Sequence, residues 1–110
     1  MPRKNLIRNV RRIVVKIGSS SVTVKGIISG RKISAIVADV AELRRRGYQV
    51  VIVTSGAITS GAGSLDRSVK NLTIPEKQAF AAVGQTILMN EYRSRFSRHG
   101  LHVGQILLTE

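Results

Sequence analysis

Arg12-Ile13-Val14-Val15-Lys16-Ile17-Gly18-Ser19-Ser20 and, further along, Val50-Val51-Ile52-Val53-Thr54-Ser55-Gly56-Ala57 decide the reading of this chain. Each is a continuous β-branched run that empties into a small, Gly/Ser-rich turn. Such runs suit strands buried in a parallel sheet. Small residues at the turn let backbone N–H groups approach an anion without a Cβ in the way. Ligands of open parallel sheets collect at the carboxyl ends of the strands. Two such ends, with Lys16 between them, read as a phosphate-handling cleft.

Between the two runs the spacing predicts a crossover. Ile13–Ile17 is the first strand. Gly18–Gly30 is a loop with short extended pieces at Val22-Thr23 or Ile27-Ile28. Arg31–Arg46 is a helix with Ile33, Ile36, Val37, Val40 and Ala41 or Leu43 on one face. Arg44, Arg45 and Arg46 complement its carboxyl-terminal dipole, and Gly47 is a left-handed stop. Tyr48–Thr54 is the second strand. Strand–helix–strand at this spacing is a βαβ unit, which places Lys16 and Ser55 on one sheet edge, on adjacent parallel strands.

Downstream, a short helix is expected from Ala57 to Ser60, then an irregular stretch from Gly61 to Asn71. Thr73-Ile74-Pro75-Glu76 is a capping box with proline in the first turn. A long helix follows to about Arg98, burying Phe80, Val83, Ile87, Leu88, Met89, Tyr92 and Phe96, and Gly100 ends it. Leu101–Thr109 is expected to be a third strand. Residues 1–11 form a basic amino-terminal segment, and 12–110 belong to one domain.

Composition narrows the function. The 110 residues carry 18 Lys and Arg against 6 Asp and Glu, a net charge of +12. That excess suits an anionic ligand or a nucleic acid, but it also suits a solvated face. The aromatics Tyr48, Phe80, Tyr92 and Phe96 are too sparse for a base-stacking platform, so nucleic acid is not the expected partner. No cysteine is present. Disulfides, thiol catalysis and cysteine–zinc sites are thereby excluded, and a cytoplasmic setting is compatible. No apolar run approaches a membrane span, and the amino terminus lacks a signal-peptide apolar core.

Each candidate residue carries two readings. Lys16, inside a Val/Ile strand, either faces phosphoryl oxygens or snorkels to water. Gly18-Ser19-Ser20-Ser21 either cradles phosphate or is an ordinary loop; it is no Walker A motif, because the lysine precedes the glycine. Ser55, Gly56 and Ala57 either present a helix N-terminus to an anion or contain a cap at Ser55. A Ser55 nucleophile is disfavoured, since Gly-x-Ser-x-Gly is absent. His99 and His102 lack a carboxylate neighbour and are expected on the surface, so no metal ligands are assigned.

Four blocks then carry a resemblance: VVKIGSSSV at 14–22, VVIVTSGAI at 50–58, TIPEKQAFAAVGQ at 73–85 and GLHVGQILLT at 100–109. In order and spacing they resemble the amino acid kinase family, and Gly18-Ser19-Ser20 resembles its glutamate-phosphorylating branch. The resemblance implies a three-layer αβα sandwich with a largely parallel central sheet, the carbamate kinase-like fold, present in part. It implies transfer of the ATP γ-phosphoryl to L-glutamate in the first step of proline biosynthesis, with ATP and Mg²⁺ as cofactors. It further implies a homo-oligomer in the complete enzyme and a cytoplasmic location. By resemblance Lys16 is catalytic, Lys16, Gly18 and Ser19 bind ATP phosphates, and Ser55, Gly56 and Ala57 hold the substrate. Gln78 and residues 81–85 match a helix beside the substrate cleft. Ala62-Gly63 stand where the family carries an arginine. The family domain is far longer than this chain, so an amino-terminal portion, inactive by itself, is expected. The alternatives are another phosphotransferase of the family and a non-catalytic, basic RNA-binding fragment.

Overall fold

The Ile13–Ile17 run forms β1 (Arg12–Ile17) in the computed structural model, which describes residues 9–106. Residues 1–8 of the basic segment, 107–109 of the expected third strand, and Glu110 lie outside the described residues. A 3-10 turn (Ser19–Ser21) leads into a small hairpin, β2 (Thr23–Val24) and β3 (Ile27–Ile28). Lys25-Gly26 makes its two-residue turn, both with positive φ, as a tight hairpin requires. Helix α1 (Gly30–Arg45), β4 (Gln49–Thr54), helix α2 (Ala57–Ser64) and helix α3 (Ile74–Ser97) follow.

β1 and β4 pair in parallel, with Arg12 opposite Gln49, Val14 opposite Val51, Lys16 opposite Val53 and Ile17 opposite Thr54. The βαβ unit is therefore as expected. Ser29 caps α1, its hydroxyl accepting from the Lys32 N–H at 3.3 Å. Gly47, at φ 92°, ends the helix region, with its N–H on the Arg44 carbonyl and the Tyr48 N–H on that of Leu43. Ile33, Val37, Val40 and Ala41 are the buried face.

The strands differ from expectation in one respect. Ile13, Val15 and Ile17 face inward, as do Val50, Ile52 and Thr54, while Val14, Lys16, Val51 and Val53 are exposed. A continuous apolar run is compatible with cover on both faces, but here α1 and α3 cover only one. Among the described residues nothing covers the other face, with Val14 62%, Val51 38% and Val53 51% exposed.

Helix α3 begins as the capping box predicts. Thr73 N–H donates to Glu76 Oε1 at 3.0 Å, and Glu76 N–H donates to Thr73 Oγ1 at 3.3 Å. The Thr73 N–H, together with the Thr73 hydroxyl that donates to the same Oε1 at 2.9 Å, holds the Glu76 carboxyl below the usual carboxylate range. Its buried stripe is Phe80, Gly84, Leu88, Tyr92 and Phe96. Val83 is 37% exposed, and Ile87 and Met89 are only half-buried. Steps of four residues advance the stripe by about 40° each, so it winds around the helix. It meets α2 through Phe80 and Gly84, and joins the core of Ile17, Val22, Ile33 and Val37 through Leu88, Tyr92 and Phe96.

Two further expectations are corrected. Helix α2 runs on to Ser64 rather than stopping at Ser60. Glycine and serine are poor helix formers, but here they permit backbone contact with α3: a Cβ on Gly61 would lie 1.9 Å from the Phe80 carbonyl oxygen. Packing outweighs propensity. Residues 101–106 form no strand. Leu101 and Val103 pack against the core while His102 and Gly104 face solvent. The alternation thus reports one-sided burial, which needs no hydrogen-bonded ladder.

Candidate functional site

Parallel pairing brings the two small-residue turns to the same carboxyl edge of the sheet. The Ile17 carbonyl joins them. It accepts the Ser55 N–H at 2.9 Å and the Ser55 hydroxyl at 3.3 Å. Ser55 is therefore not the helix cap: Gly56 occupies that position, without a side-chain hydrogen bond. Gly56 lies at φ 110°, where a side chain is strained. A Cβ there would also sit 3.3 Å from Ser19 Cα and Val22 Cγ2. The two loops touch, and glycine is what permits it. Ala57 opens α2, and α3 backs it: a Cβ on Gly84 would lie 1.7 Å from the Ala57 carbonyl oxygen.

Gly18 differs in kind. Its φ of −78° and ψ of 166° suit any residue, and a Cβ added there would meet nothing within 4 Å. Neither conformation nor packing among the described residues demands glycine. The open volume in front of its Cα is where a ligand could approach the backbone.

The polarity of this loop is one-sided. The Gly18 carbonyl accepts the Ser21 N–H at 3.1 Å, and that of Ser19 accepts the Val22 N–H at 3.2 Å and the Thr23 hydroxyl at 2.9 Å. The Ser20 and Thr23 carbonyls take the Lys32 ammonium at 2.7 and 2.9 Å. The amides of Ser19 and Ser20 have no partner among the described residues. Acceptors are consumed and donors remain, which suits an anion. Lys16 adds a cation on the bare face of β1, exposed and opposite Val53.

Gln78 is exposed on the first turns of α3. Residues 81–85 pack behind Ala57 through Gly84. His99 and His102 are exposed, as expected. Among the described residues no three His, Cys, Asp or Glu side chains cluster to hold a metal. No helix among them is long and apolar enough to cross a membrane. A cavity of about 540 Å³ lies elsewhere, between the Lys25-Gly26 turn and residues 66–69, and no candidate site residue lines it.

Two contributors escape sequence reasoning. Thr54 Oγ1 lies 3.4 Å from the Tyr92 hydroxyl, linking α3 to the strand end that carries Ser55. Lys32 clamps the Gly18–Ser21 loop. One signal pointed to Lys32: a cation in the first turn of a helix opposes the dipole, so it needs another reason to be there.

A model of the amino acid kinase family matches residues 11–110. The chain belongs to the amino acid kinase family. Among its curated relatives are a glutamate 5-kinase of Pelobacter propionicus, 49% identical over 108 residues, covering 97% of this chain and 29% of that protein. Another, of Clostridium tetani, is 47% identical over 109 residues, covering 98% and 41%. A third, of Methanosarcina mazei, is 44% identical over 115 residues, covering 97% and 30%. The chain thus spans well under half the length of these relatives. The kinase family accounts for the open architecture: a parallel sheet with helices, as an incomplete αβα sandwich.

Proposed function

We propose that this chain forms the phosphate-side loop and one substrate loop of a glutamate 5-kinase. The observation that carries the reading is the joining of the two turns at one sheet edge, through the Ile17 carbonyl and the Gly56–Ser19 contact. In such a reaction a γ-carboxylate oxygen of L-glutamate attacks the γ-phosphorus of ATP. The bond to the β,γ-bridging oxygen breaks, and ADP leaves. Most of the catalysis is positioning and charge neutralisation. Lys16 would neutralise charge on the phosphoryl oxygens. Gly18 and Ser19 would admit and bind phosphate through the backbone. Ser55, Gly56 and Ala57 would hold the glutamate carboxylate at the N-terminus of α2, where amide dipoles favour an anion. The relatives' shared name supports glutamate as acceptor.

A chimera tests this. The matched segment of the Clostridium tetani relative is replaced by this chain, and acyl phosphate made from ATP and L-glutamate is trapped with hydroxylamine. The expected result is hydroxamate from glutamate, with Lys16→Ala lowering turnover by about 10²–10³-fold, the typical worth of a positioned electrostatic donor. Unchanged turnover in the Lys16→Ala chimera would remove its role. Preference for another carboxylate would assign the chain to a different branch of the family. The 110-residue chain assayed alone is expected to form no hydroxamate.

A further inference from the structure

We propose that Lys32 is the positioning residue of the phosphate-side loop. Its ammonium pulls the Ser20 and Thr23 carbonyls inward, so that the Ser19 and Ser20 amides are left outward for an anion. The inference rests on the reading of Gly18–Ser21 as a phosphate loop, and it adds a residue that does not itself touch phosphate.

The geometry is specific. Lys32 sits on the first turn of α1, where its own N–H meets the capping hydroxyl of Ser29. From there its side chain crosses to two carbonyls on either side of the 3-10 turn's exit, at 2.7 and 2.9 Å. It is half-buried. Two charge-assisted bonds saturate most of its donor capacity, since an ammonium has three donors. A lysine serving as phosphate ligand would keep its ammonium free, as Lys16 does among the described residues. The position also runs against the helix dipole, and the two carbonyl partners compensate for that cost. Together with the Thr23 hydroxyl on the Ser19 carbonyl, Lys32 leaves the turn with spent acceptors and open donors. Without the cation, the Ser20 and Thr23 carbonyls would turn to water, and the amides would lose their common direction.

The test uses the 110-residue protein, its Lys32→Met and Lys32→Arg variants, amide hydrogen exchange, and inorganic pyrophosphate as the probe. Hydrogen bonds to a charged group are worth enough for roughly tenfold effects. In Lys32→Met the Ser21, Val22 and Ser29 amides should exchange about tenfold faster, while those of the β1–β4 ladder stay unchanged. Pyrophosphate should shift the Ser19 and Ser20 amides in the wild type, bind several-fold more weakly to Lys32→Met, and recover with Lys32→Arg, which keeps charge and donors. The wild-type Lys32 side-chain ammonium resonance, readable even if the methionine variant fails to fold, should not move with pyrophosphate. Unchanged exchange at Ser21, Val22 and Ser29 in folded Lys32→Met overturns the proposal. A pyrophosphate-induced shift of the Lys32 ammonium also overturns it, by making the residue a direct ligand. Accelerated exchange with no wild-type shift at Ser19 and Ser20 overturns the phosphate-loop reading instead, leaving Lys32 as a structural clamp.

Discussion

Adding one methyl group at Gly84 tests how α2, and with it Ser55–Ala57, is held. The built Cβ lies 1.7 Å from the Ala57 carbonyl oxygen and 2.6 Å from the Gly61 nitrogen. Carbon–oxygen contacts settle near 3.3–3.6 Å, so the helices must part by about 1.5–2 Å at their crossing. Both obstructing atoms are backbone, and no side-chain rotation relieves them. Overpacking of this kind costs about 1–3 kcal/mol, sometimes more, and the rigid obstacle argues for the upper end. Alanine's better helix propensity returns only about 1 kcal/mol. The expected net loss for Gly84→Ala is therefore about 2 kcal/mol, a fall in Tm of roughly 8–16 °C at 4–8 °C per kcal/mol. Urea and thermal unfolding followed by circular dichroism measure it. Amide shifts should concentrate at residues 55–61, because α2 is the element displaced. Stability within about 0.5 kcal/mol of wild type, the ordinary range for a harmless surface change, would refute the backbone-contact argument.

Gly18→Ala should behave oppositely: with φ −78° and open space at the Cβ, stability should hold or rise by about 0.4–1 kcal/mol, while pyrophosphate-induced amide shifts shrink. A loss of stability at this position would show that the glycine serves the fold. Burial raises the Tyr92 phenol above its ordinary pKa, and the hydrogen bond with Thr54 opposes this only in part. The neutral form is thus favoured in the folded state, so its contribution is complete below the unfolded value of about 10 and is lost as pH rises through the folded one. Urea midpoints from pH 8 to 11 should therefore fall more steeply for the wild type than for Tyr92→Phe; parallel curves would remove Tyr92 from the pH dependence. Val53 is 51% exposed beside Val14 and Val51 on the bare sheet face, and exposed apolar sheet surface invites association. Val53→Thr, which keeps a β-branched residue and places no second cation opposite Lys16, should raise the monomer fraction in sedimentation velocity without lowering stability, and an unchanged distribution would remove this face from any self-association.

Local chemistry determined much of this chain. The Thr73–Glu76 capping box, the Gly47 stop, the α1 face of Ile33, Val37 and Val40, and the two β-branched runs each act within a few residues. Their signals are therefore complete in the sequence. The βαβ spacing then sufficed to bring Lys16 and Ser55 to one sheet edge, because a helical crossover makes the two strands parallel and parallel strands end at the same edge. The four sequence blocks likewise carried the family.

Tertiary structure decided what depends on residues far apart in the chain. Which face of β1 and β4 is bare follows from where α1 and α3 lie, and no run of valines encodes that. Helix α2 outlasts its own propensity because Gly61 and Gly84 let two backbones meet. The alternation after Gly100 marks burial against a neighbour, yet ladder hydrogen bonds require a partner strand, which residues 101–106 do not have among the described residues. The Ser20 carbonyl of the Gly18–Ser21 loop is held by Lys32, twelve residues downstream. A side chain's partners are set by the packing of whole elements, whereas caps, turns and periodicities are set by neighbours along the chain.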